Sequence, residues 1–205
     1  MGNDIYESGK LCRYGKIPGL EKPVSRMIFG TAIGPMIEGK NADELLDAAF
    51  AKGINTFDTA RGYGRAEESL GGWMKRRDNR EQVVVISKCG NCDSDGSVCV
   101  NRKVIETELA ESLQALQTDY IDIYLLHRDD PKTPVSEMIN ALNELQKEGK
   151  IKVFGVSNWA HERIEEANRY AKEHQLQGFS VSSPHFGLAE QIADPWGGNC
   201  VTITG

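Results

Sequence analysis

The sequence predicts an α/β fold in which parallel strands alternate with helices, as in (β/α) barrels. Three observations lead to this prediction. Apolar runs of strand length recur along the 205-residue chain, segments with helical spacing of apolar residues separate them, and a polar residue follows several of the runs. Because the carboxyl ends of barrel strands and the loops after them converge on one face, these polar residues are expected to share one pocket.

The elements follow one another in the order that such a barrel requires. Residues 1–24 are polar and contain several glycines and prolines, so we expect a hairpin or cap that closes the barrel floor, followed by one partial-barrel domain over residues 25–205. The apolar stretch Val201–Thr204 has no predicted partner. Six strands are predicted, at Ser25–Phe29, Ile54–Phe57, Val83–Ser87, Ile121–Leu126, Lys152–Ser157 and Gly178–Ser182.

Five helices are predicted between these strands, and three of them have a capping signal. Asn41 and Glu44 have the spacing of a capping box for a helix that ends near Lys52. Asn101 is the predicted cap of the third helix, and Thr133–Pro134 fits the cap and first-turn positions of the fourth. The second and fifth helices are predicted at 66–76 and 162–172. The inward faces of the third and fourth helices are marked by Ile105, Leu109, Leu113, Leu116, Met138, Leu142 and Leu145.

The composition argues against several classes of function. A net charge of -6 disfavours a nucleic-acid partner, because binding to phosphates requires clustered Lys and Arg, and the short basic cluster Lys75–Arg77 is interpreted as a solvated helix end. No segment has the ~18 consecutive apolar residues that a membrane span requires, and the N-terminus lacks the regions of a secretory signal. An odd count of five cysteines does not suit a disulfide framework. A cytoplasmic location is therefore predicted, with neither nucleic acid nor membrane as a partner.

Four polar residues follow three of the predicted strands. Asp58 ends the second, Tyr63 comes a short turn later, Lys88 ends the third and His127 ends the fourth. An ammonium beside a phenol favours the phenolate and makes the hydroxyl a better proton donor or acceptor. Asp58 would keep Lys88 charged, and His127 can hydrogen-bond a substrate oxygen without a charge of its own. Each residue alone also has a structural interpretation, but together they favour proton transfer to a carbonyl oxygen, with redox chemistry from a cofactor.

The motifs around these residues resemble those of a known family. Asp58–Gly64, Lys88 after a valine-rich strand, His127 after Tyr124–Leu126, and Gly155–Trp159 are together similar to the aldo-keto reductases, over about residues 25–158. The resemblance implies reduction of aldehyde or ketone carbonyls of small molecules to alcohols, with NADPH as the cofactor.

The resemblance also implies a role for individual residues. Tyr63 would be the general acid, Lys88 and Asp58 would tune it, and His127 would orient the substrate carbonyl. Ser183 stands where the family often has a glutamine that faces the nicotinamide carboxamide. The residues that the resemblance places against the cofactor are Gly30, Thr31, Ala32, Asp58, Ser157, Asn158 and Ser183.

By the same resemblance, two strands are lacking. Family members form an eight-stranded (β/α) barrel of the TIM type with roughly 250 residues or more, so about six of the eight strands are expected in this chain. The lacking strands would carry an aromatic residue against the nicotinamide and a basic loop for the cofactor phosphates, so NADH is not excluded. Three arrangements stay open: a fragment of a longer protein, completion by a second chain, or an open curved sheet. The competing hypothesis is a catalytically inactive interaction protein that self-associates through the open barrel edge.

A metal site is a weaker alternative. Cys89, Cys92 and Cys99, with Cys12 or Cys200, could form a zinc or iron–sulfur site, but there is no second closely spaced pair, and ordinary loop thiols are favoured. No Gly-x-Gly-x-x-Gly follows the first strand, which argues against a Rossmann domain. No metal is therefore predicted, and a metal-dependent barrel hydrolase has little support.

Overall fold

The computed structural model describes residues 12–91, 100–186 and 202–203. Two short strands come first, and strands then alternate with helices. The strands are β1 (Tyr14–Gly15), β2 (Val24–Ser25), β3 (Phe29–Gly30), β4 (Thr56–Asp58), β5 (Val84–Cys89), β6 (Ile121–Leu126), β7 (Ile151–Ser157), β8 (Val181–Ser183), β9 (His185–Phe186) and β10 (Thr202–Ile203). The helices are α1 (Gly34–Ile37), α2 (Asp43–Ala51), α3 (Ala66–Arg77), α4 (Arg102–Leu116), α5 (Val135–Lys147) and α6 (His161–Glu173), with a short 3-10 helix at Arg80–Gln82.

Six strands form one parallel sheet in the order β3-β4-β5-β6-β7-β8, which is also their order in the chain. Each strand therefore pairs with the next one in sequence, as a (β/α) barrel requires. The sheet curls and carries helices on its outer side, so the described residues form a six-stranded half-barrel. The predicted fold class, a TIM-type barrel with about six of its eight strands in this chain, is confirmed.

Side chains along the central strands alternate between two cores, because successive residues of a strand face opposite sides of the sheet. The outer set, which includes Phe57 and Tyr124, packs against the helices. Every second residue of these strands faces the barrel interior, and at the carboxyl ends the residues on this inner side are Lys88, His127 and Ser157. The barrel interior is therefore apolar in its middle and polar at its carboxyl end. The inner apolar set comprises Val84, Ile86, Ile123, Leu125 and Val153.

The opposite end of the half-barrel is closed by an N-terminal hairpin, in which β1 and β2 pair antiparallel. Lys22, from the loop of this hairpin, contacts the buried carboxylate of Asp122 on β6 (Nζ–Oδ1 3.1 Å). Arg80 binds the second carboxylate oxygen (Nη2–Oδ2 2.8 Å), and the backbone N–H of Val85 donates to the same oxygen (3.0 Å). The ring of Tyr120 lies against both cations. This end of the barrel is thus closed by a polar network.

The first barrel strand is shorter than predicted. Ser25 belongs to the hairpin, where it pairs with Tyr14, and the barrel strand itself is only Phe29–Gly30. The Ser25 hydroxyl donates to the carbonyl of Met27 (2.7 Å) and accepts from the N–H of Thr56 (3.1 Å). These two bonds turn the chain between the hairpin and the barrel, so the predicted strand Ser25–Phe29 is wrong in its bounds.

Two predictions at the C-terminal side also need correction. The sixth barrel strand is Val181–Ser183 and not Gly178–Ser182, because the N–H of Phe179 donates to the side chain of Asn168 on α6 (2.7 Å) rather than to a strand. The stretch expected to have no partner contributes Thr202–Ile203, which pairs in parallel with β9.

The helix caps agree with the sequence in one case out of three. The Asn101 side chain accepts from the N–H of Val104 (3.0 Å), so its predicted cap is confirmed. Asn41 instead accepts from Asp43, two residues on (2.7 Å), and the residue that precedes α2 is Ala42, which has no side-chain cap. Pro134 is the cap residue of α5 rather than part of its first turn, since its ψ of 139° is extended. None of the helices in the described ranges has both the length and the apolarity needed to cross a bilayer.

Candidate active site

A cavity of about 680 Å³ lies at the carboxyl ends of the strands. Two residues of the predicted cofactor set do not line it, since Thr31 is buried beside it and Ala32 is exposed to solvent. All four residues predicted to act together, and the other members of the predicted cofactor set, do line it. These are Asp58, Tyr63, Lys88 and His127, and Gly30, Ser157, Asn158 and Ser183.

Lys88 is the buried centre of this group. Its side chain is 4% exposed, and its ammonium contacts the Asp58 carboxylate (Nζ–Oδ1 2.6 Å) and the carbonyl of Thr59 (2.9 Å). The hydroxyl of Tyr63 lies 3.4 Å from the same nitrogen, at the long limit of a hydrogen bond. A buried charge is tolerated only when it is paired and hydrogen-bonded. A charged Lys88 in this buried position therefore depends on the Asp58 carboxylate.

A tight turn after β4 brings Tyr63 to Lys88. The N–H of Arg61 donates to the carbonyl of Lys88 (3.0 Å), and the N–H of Tyr63 donates to that of Ala60 (3.0 Å). Gly64 has φ +58°, and a Cβ there would come within 2.7 Å of the Ile37 carbonyl oxygen. The position therefore requires glycine for both its backbone angle and its space, and it keeps the ring of Tyr63 over the ammonium, 4.8 Å from Nζ to the ring centroid.

His127 faces Tyr63 across the cavity, with the two ring centroids 5.6 Å apart in an edge-on arrangement. The residue is 5% exposed, and its backbone N–H donates to the carbonyl of Cys89 (2.7 Å), which fixes the end of β6 on β5. Burial, aided by the charges of Lys88 and Arg128, lowers the pKa of His127 to about 3. The imidazole is therefore neutral near pH 7, and its Nδ1 has no hydrogen-bond partner among the described residues.

Ser157, Asn158 and Ser183 form a hydrogen-bonded group at the ends of β7 and β8. The Ser157 hydroxyl donates to the Ser183 carbonyl (3.2 Å), and the Asn158 amide nitrogen donates to the Ser157 hydroxyl (3.0 Å). The Asn158 amide oxygen accepts from the N–H of His185 (2.5 Å). Asn158 itself has φ +59°, a left-handed backbone in which asparagine is several-fold enriched. The group presents hydroxyl and amide functions at the cavity wall, and these suit a ligand that carries a carboxamide.

Sequence reasoning missed several residues of the cavity wall. Each is a close neighbour in sequence of a residue that was predicted, so proximity along the chain was the signal that could have found it. The most important is Arg128, which directly follows His127 and is 6% exposed. The others are Ile28, Asn91 and Pro184.

The cysteines give no support to a metal centre in the described residues, where no group of three or more candidate ligands is found. Cys89 is buried, and burial raises the pKa of its thiol to about 12, so a metal-binding thiolate is disfavoured there. Cys12 is buried as well. Cys92, Cys99 and Cys200 lie outside the described residues.

Comparison with known proteins shows the family to which the chain belongs. The model of the aldo/keto reductase family matches residues 26–194, which is more than half of the chain. The chain belongs to the aldo/keto reductase family. The resemblance that the motifs around Asp58, Lys88 and His127 indicated is therefore confirmed.

Several curated proteins of this family are similar to the chain. An aldo-keto reductase of Bacillus subtilis is 36% identical over 162 residues, which cover 75% of this chain and 49% of the relative. Norsolorinic acid reductase B of Dothistroma septosporum is 35% identical over 69% of this chain and 39% of its own length. A probable voltage-gated potassium channel subunit beta of Oryza sativa is 35% identical over 80% of this chain and 52% of its own length. The chain thus spans about half the length of the curated relatives it matches.

Proposed function

We propose that this protein is an NADPH-dependent oxidoreductase that reduces aldehyde or ketone carbonyls of small molecules to alcohols. The observation that carries the proposal is the contact of Tyr63 with the Lys88–Asp58 pair, opposite a neutral His127 in one cavity. Membership of the aldo/keto reductase family supports it. A cytoplasmic location remains a prediction.

The proton chemistry follows from the charges around the phenol. Tyr63 donates its proton to the carbonyl oxygen, and the phenolate that remains is stabilised by the Lys88 ammonium at 3.4 Å. Asp58 keeps that ammonium in place at 2.6 Å. His127, neutral and buried, donates a hydrogen bond to the same carbonyl oxygen and so orients the substrate without adding a second charge.

A reduced nicotinamide supplies the hydride for this reaction when it is bound. The group formed by Ser157, Asn158 and Ser183 fits its carboxamide, because a hydroxyl and an amide lie together at the wall. Gly30 lines the cavity and a Cβ at this position would meet no atom within 4 Å, so it leaves space for a flat ring. Asp58 lines the same cavity and completes the proposed cofactor set there, whereas Thr31 and Ala32 do not line the cavity and remain predictions. NADPH is proposed over NADH, and both are to be assayed.

The experiment is NADPH oxidation by the purified chain with small aldehydes, compared with the variant Tyr63→Phe. Removal of one general acid typically costs about 10²–10⁴ in rate, and we expect turnover to fall by that factor while the far-ultraviolet circular dichroism and melting curve stay unchanged. Tyr170→Phe, on α6 and away from the cavity, is the matched control and should keep full turnover. Equal turnover by Tyr63→Phe and wild type would remove Tyr63 from its role.

A second candidate function is that of a non-catalytic interaction protein. One comparison favours it, because one relative is described as a probable voltage-gated potassium channel subunit beta. In the described half-barrel, β3 and β8 are the two edge strands of the sheet, and such edges are places for association with another chain. Saturable NADPH binding together with turnover would exclude this candidate, whereas a folded chain without NADPH binding that self-associates in sedimentation would support it.

A further inference from the structure

Glu67 is a buried carboxyl that the proposed mechanism does not use. It is the second residue of α3 and is 3% exposed. Its Oε1 accepts a hydrogen bond from the hydroxyl of Ser87 on β5 (Oγ–Oε1 2.5 Å), and Ser87 is fully buried. Because burial of a carboxyl costs free energy that burial of an apolar side chain does not, packing alone does not explain a carboxyl at this place.

The groups around Glu67 offset only a part of the cost of its burial. Desolvation raises the pKa of Glu67, and the charge of Glu108 on α4 raises it further. The nearby hydroxyls of Ser87 and Ser112 and the charge of Arg61 lower it. The Arg61 guanidinium is itself engaged in an ion pair with α4. The short hydrogen bond with Ser87 is therefore the contact that fixes the Glu67 carboxyl on the sheet.

The Glu67–Ser87 hydrogen bond joins the two segments that carry Tyr63 and Lys88. The helix that contains Glu67 begins at Ala66, whose N–H donates to the carbonyl of Tyr63 (3.1 Å). Ser87 directly precedes Lys88 on β5, and successive residues of a strand face opposite sides of the sheet. Ser87 therefore faces α3 while Lys88 faces the cavity. A displacement of α3 from β5 would change the separation of Tyr63 and Lys88.

The separation of Tyr63 and Lys88 leaves little room for such a displacement. The Tyr63 hydroxyl lies 3.4 Å from the Lys88 Nζ, and at about 3.6 Å such a contact is no longer a hydrogen bond. Lys88 cannot follow the phenol, because its ammonium is also held by Asp58 (2.6 Å) and by the carbonyl of Thr59 (2.9 Å). A small shift of α3 would therefore be enough to separate the two groups.

We infer that Glu67 and Ser87 are positioning residues, whose hydrogen bond keeps the Tyr63 hydroxyl within reach of the Lys88 ammonium. Neither residue belongs to the described lining of the cavity, so both act through Tyr63 and Lys88 and not on the substrate. This inference rests on the proposed function, because it takes Tyr63 as the general acid. The alternative is a bond that stabilises the fold without affecting the reaction.

The test compares the variants S87A, E67L and E67Q of the full chain with the control S69A. S87A and E67L remove the hydrogen bond, whereas E67Q keeps a side-chain oxygen that can accept from Ser87. The control also removes a buried hydroxyl, but Ser69 of α3 donates to the carbonyl of Lys40 (2.9 Å) and not to β5. Each protein is assayed with NADPH and 4-nitrobenzaldehyde for kcat, KM and the single-turnover rate of NADPH oxidation.

The expected pattern is specific to a positioning role. S87A and E67L should lower kcat and the single-turnover rate by about 10- to 100-fold with little change in KM, because a misplacement of about 1 Å can cost about 10² in rate. E67Q should keep most of the rate and S69A all of it, and the double variant E67L/S87A should be no slower than S87A. An unchanged kcat in S87A, equal losses in S87A and S69A, or an effect confined to KM would each overturn the inference.

Failure of the proposed function has a different appearance, because the wild-type protein then turns over no aldehyde. In that case the distance from the Tyr63 hydroxyl to the Lys88 Nζ decides the inference, measured in crystal structures of wild type, S87A and S69A. A longer distance in S87A alone supports it, and an unchanged distance in S87A overturns it. If E67L does not fold, as judged by circular dichroism, S87A and E67Q still decide the inference.

Discussion

Replacement of Asp58 by Asn should destabilise the protein more than replacement of its partner, Lys88, by Met. Asp58→Asn keeps the shape of the side chain but leaves the Lys88 ammonium, which is 4% exposed, without its counter-charge at 2.6 Å. Removing one partner of a buried ion pair typically costs about 3–5 kcal/mol, and because Asp58 is 25% exposed and water can reach its place, we expect about 2–4 kcal/mol. Lys88→Met removes the buried charge itself and leaves a carboxylate that water can solvate, so we expect about 0–2 kcal/mol.

The measurement is urea unfolding at pH 7, followed by circular dichroism, for wild type, both single variants and the double variant. The double variant contains neither charge, so its loss of stability should be close to that of Lys88→Met and smaller than the sum of the two single losses. An Asp58→Asn variant as stable as Lys88→Met would refute the reasoning, because the ammonium would then not depend on this carboxylate. Both single variants should also lose turnover of any carbonyl substrate.

Two further predictions concern pH and packing. The unfolded chain protonates His127 near pH ~6.5, whereas the folded protein does so only near its lowered pKa of about 3. Between these two pH values the unfolded state binds more protons than the folded state. The free energy of unfolding should therefore fall with decreasing pH by up to about 1.4 kcal/mol per pH unit. Urea titrations from pH 7 to pH 4 should show this slope, and His127→Gln should flatten it; an equal slope in the variant would contradict the assignment. Gly155→Ala would place a Cβ 2.0 Å from the Val181 carbonyl oxygen, so β7 and β8 must separate, at a cost of about 3 kcal/mol or more. Gly15→Ala, where a Cβ meets nothing within 4 Å, is the control, and equal melting temperatures for the two variants would show that the strands can adapt.

The long central strands could be predicted because their composition alone marks them. All residues of Val84–Cys89 and Ile121–Leu126 are buried, and strands covered on both faces read as continuous apolar runs. The two-residue strands could not be predicted in this way. Pairing of Thr202–Ile203 with His185–Phe186 depends on contacts between distant segments, and two residues are too few for a recognisable pattern.

The convergence of Asp58, Lys88 and His127 on one cavity also follows from the strand-end rule, although their roles remain predictions. Arg128 shows where sequence reasoning stops. A charged stretch after a strand is typical of a solvated loop, and nothing in Arg128–Asp130 itself indicates burial. The guanidinium of Arg163, from a helix 30 residues later, covers this loop through Asp129 and through the Thr133 carbonyl.

The polar network around Asp122 lies at the end of the half-barrel opposite the cavity. Here Lys22 from the hairpin and Arg80 from the 3-10 helix both form ion pairs with the single carboxylate of Asp122. Segments far apart in the chain are thus bound to one strand. Loss of any one of them would weaken the attachment of the others, which couples the hairpin and the sheet into one cooperative unit. Substitutions at the carboxyl end of the strands, whatever they cost locally, therefore leave this attachment of the hairpin intact.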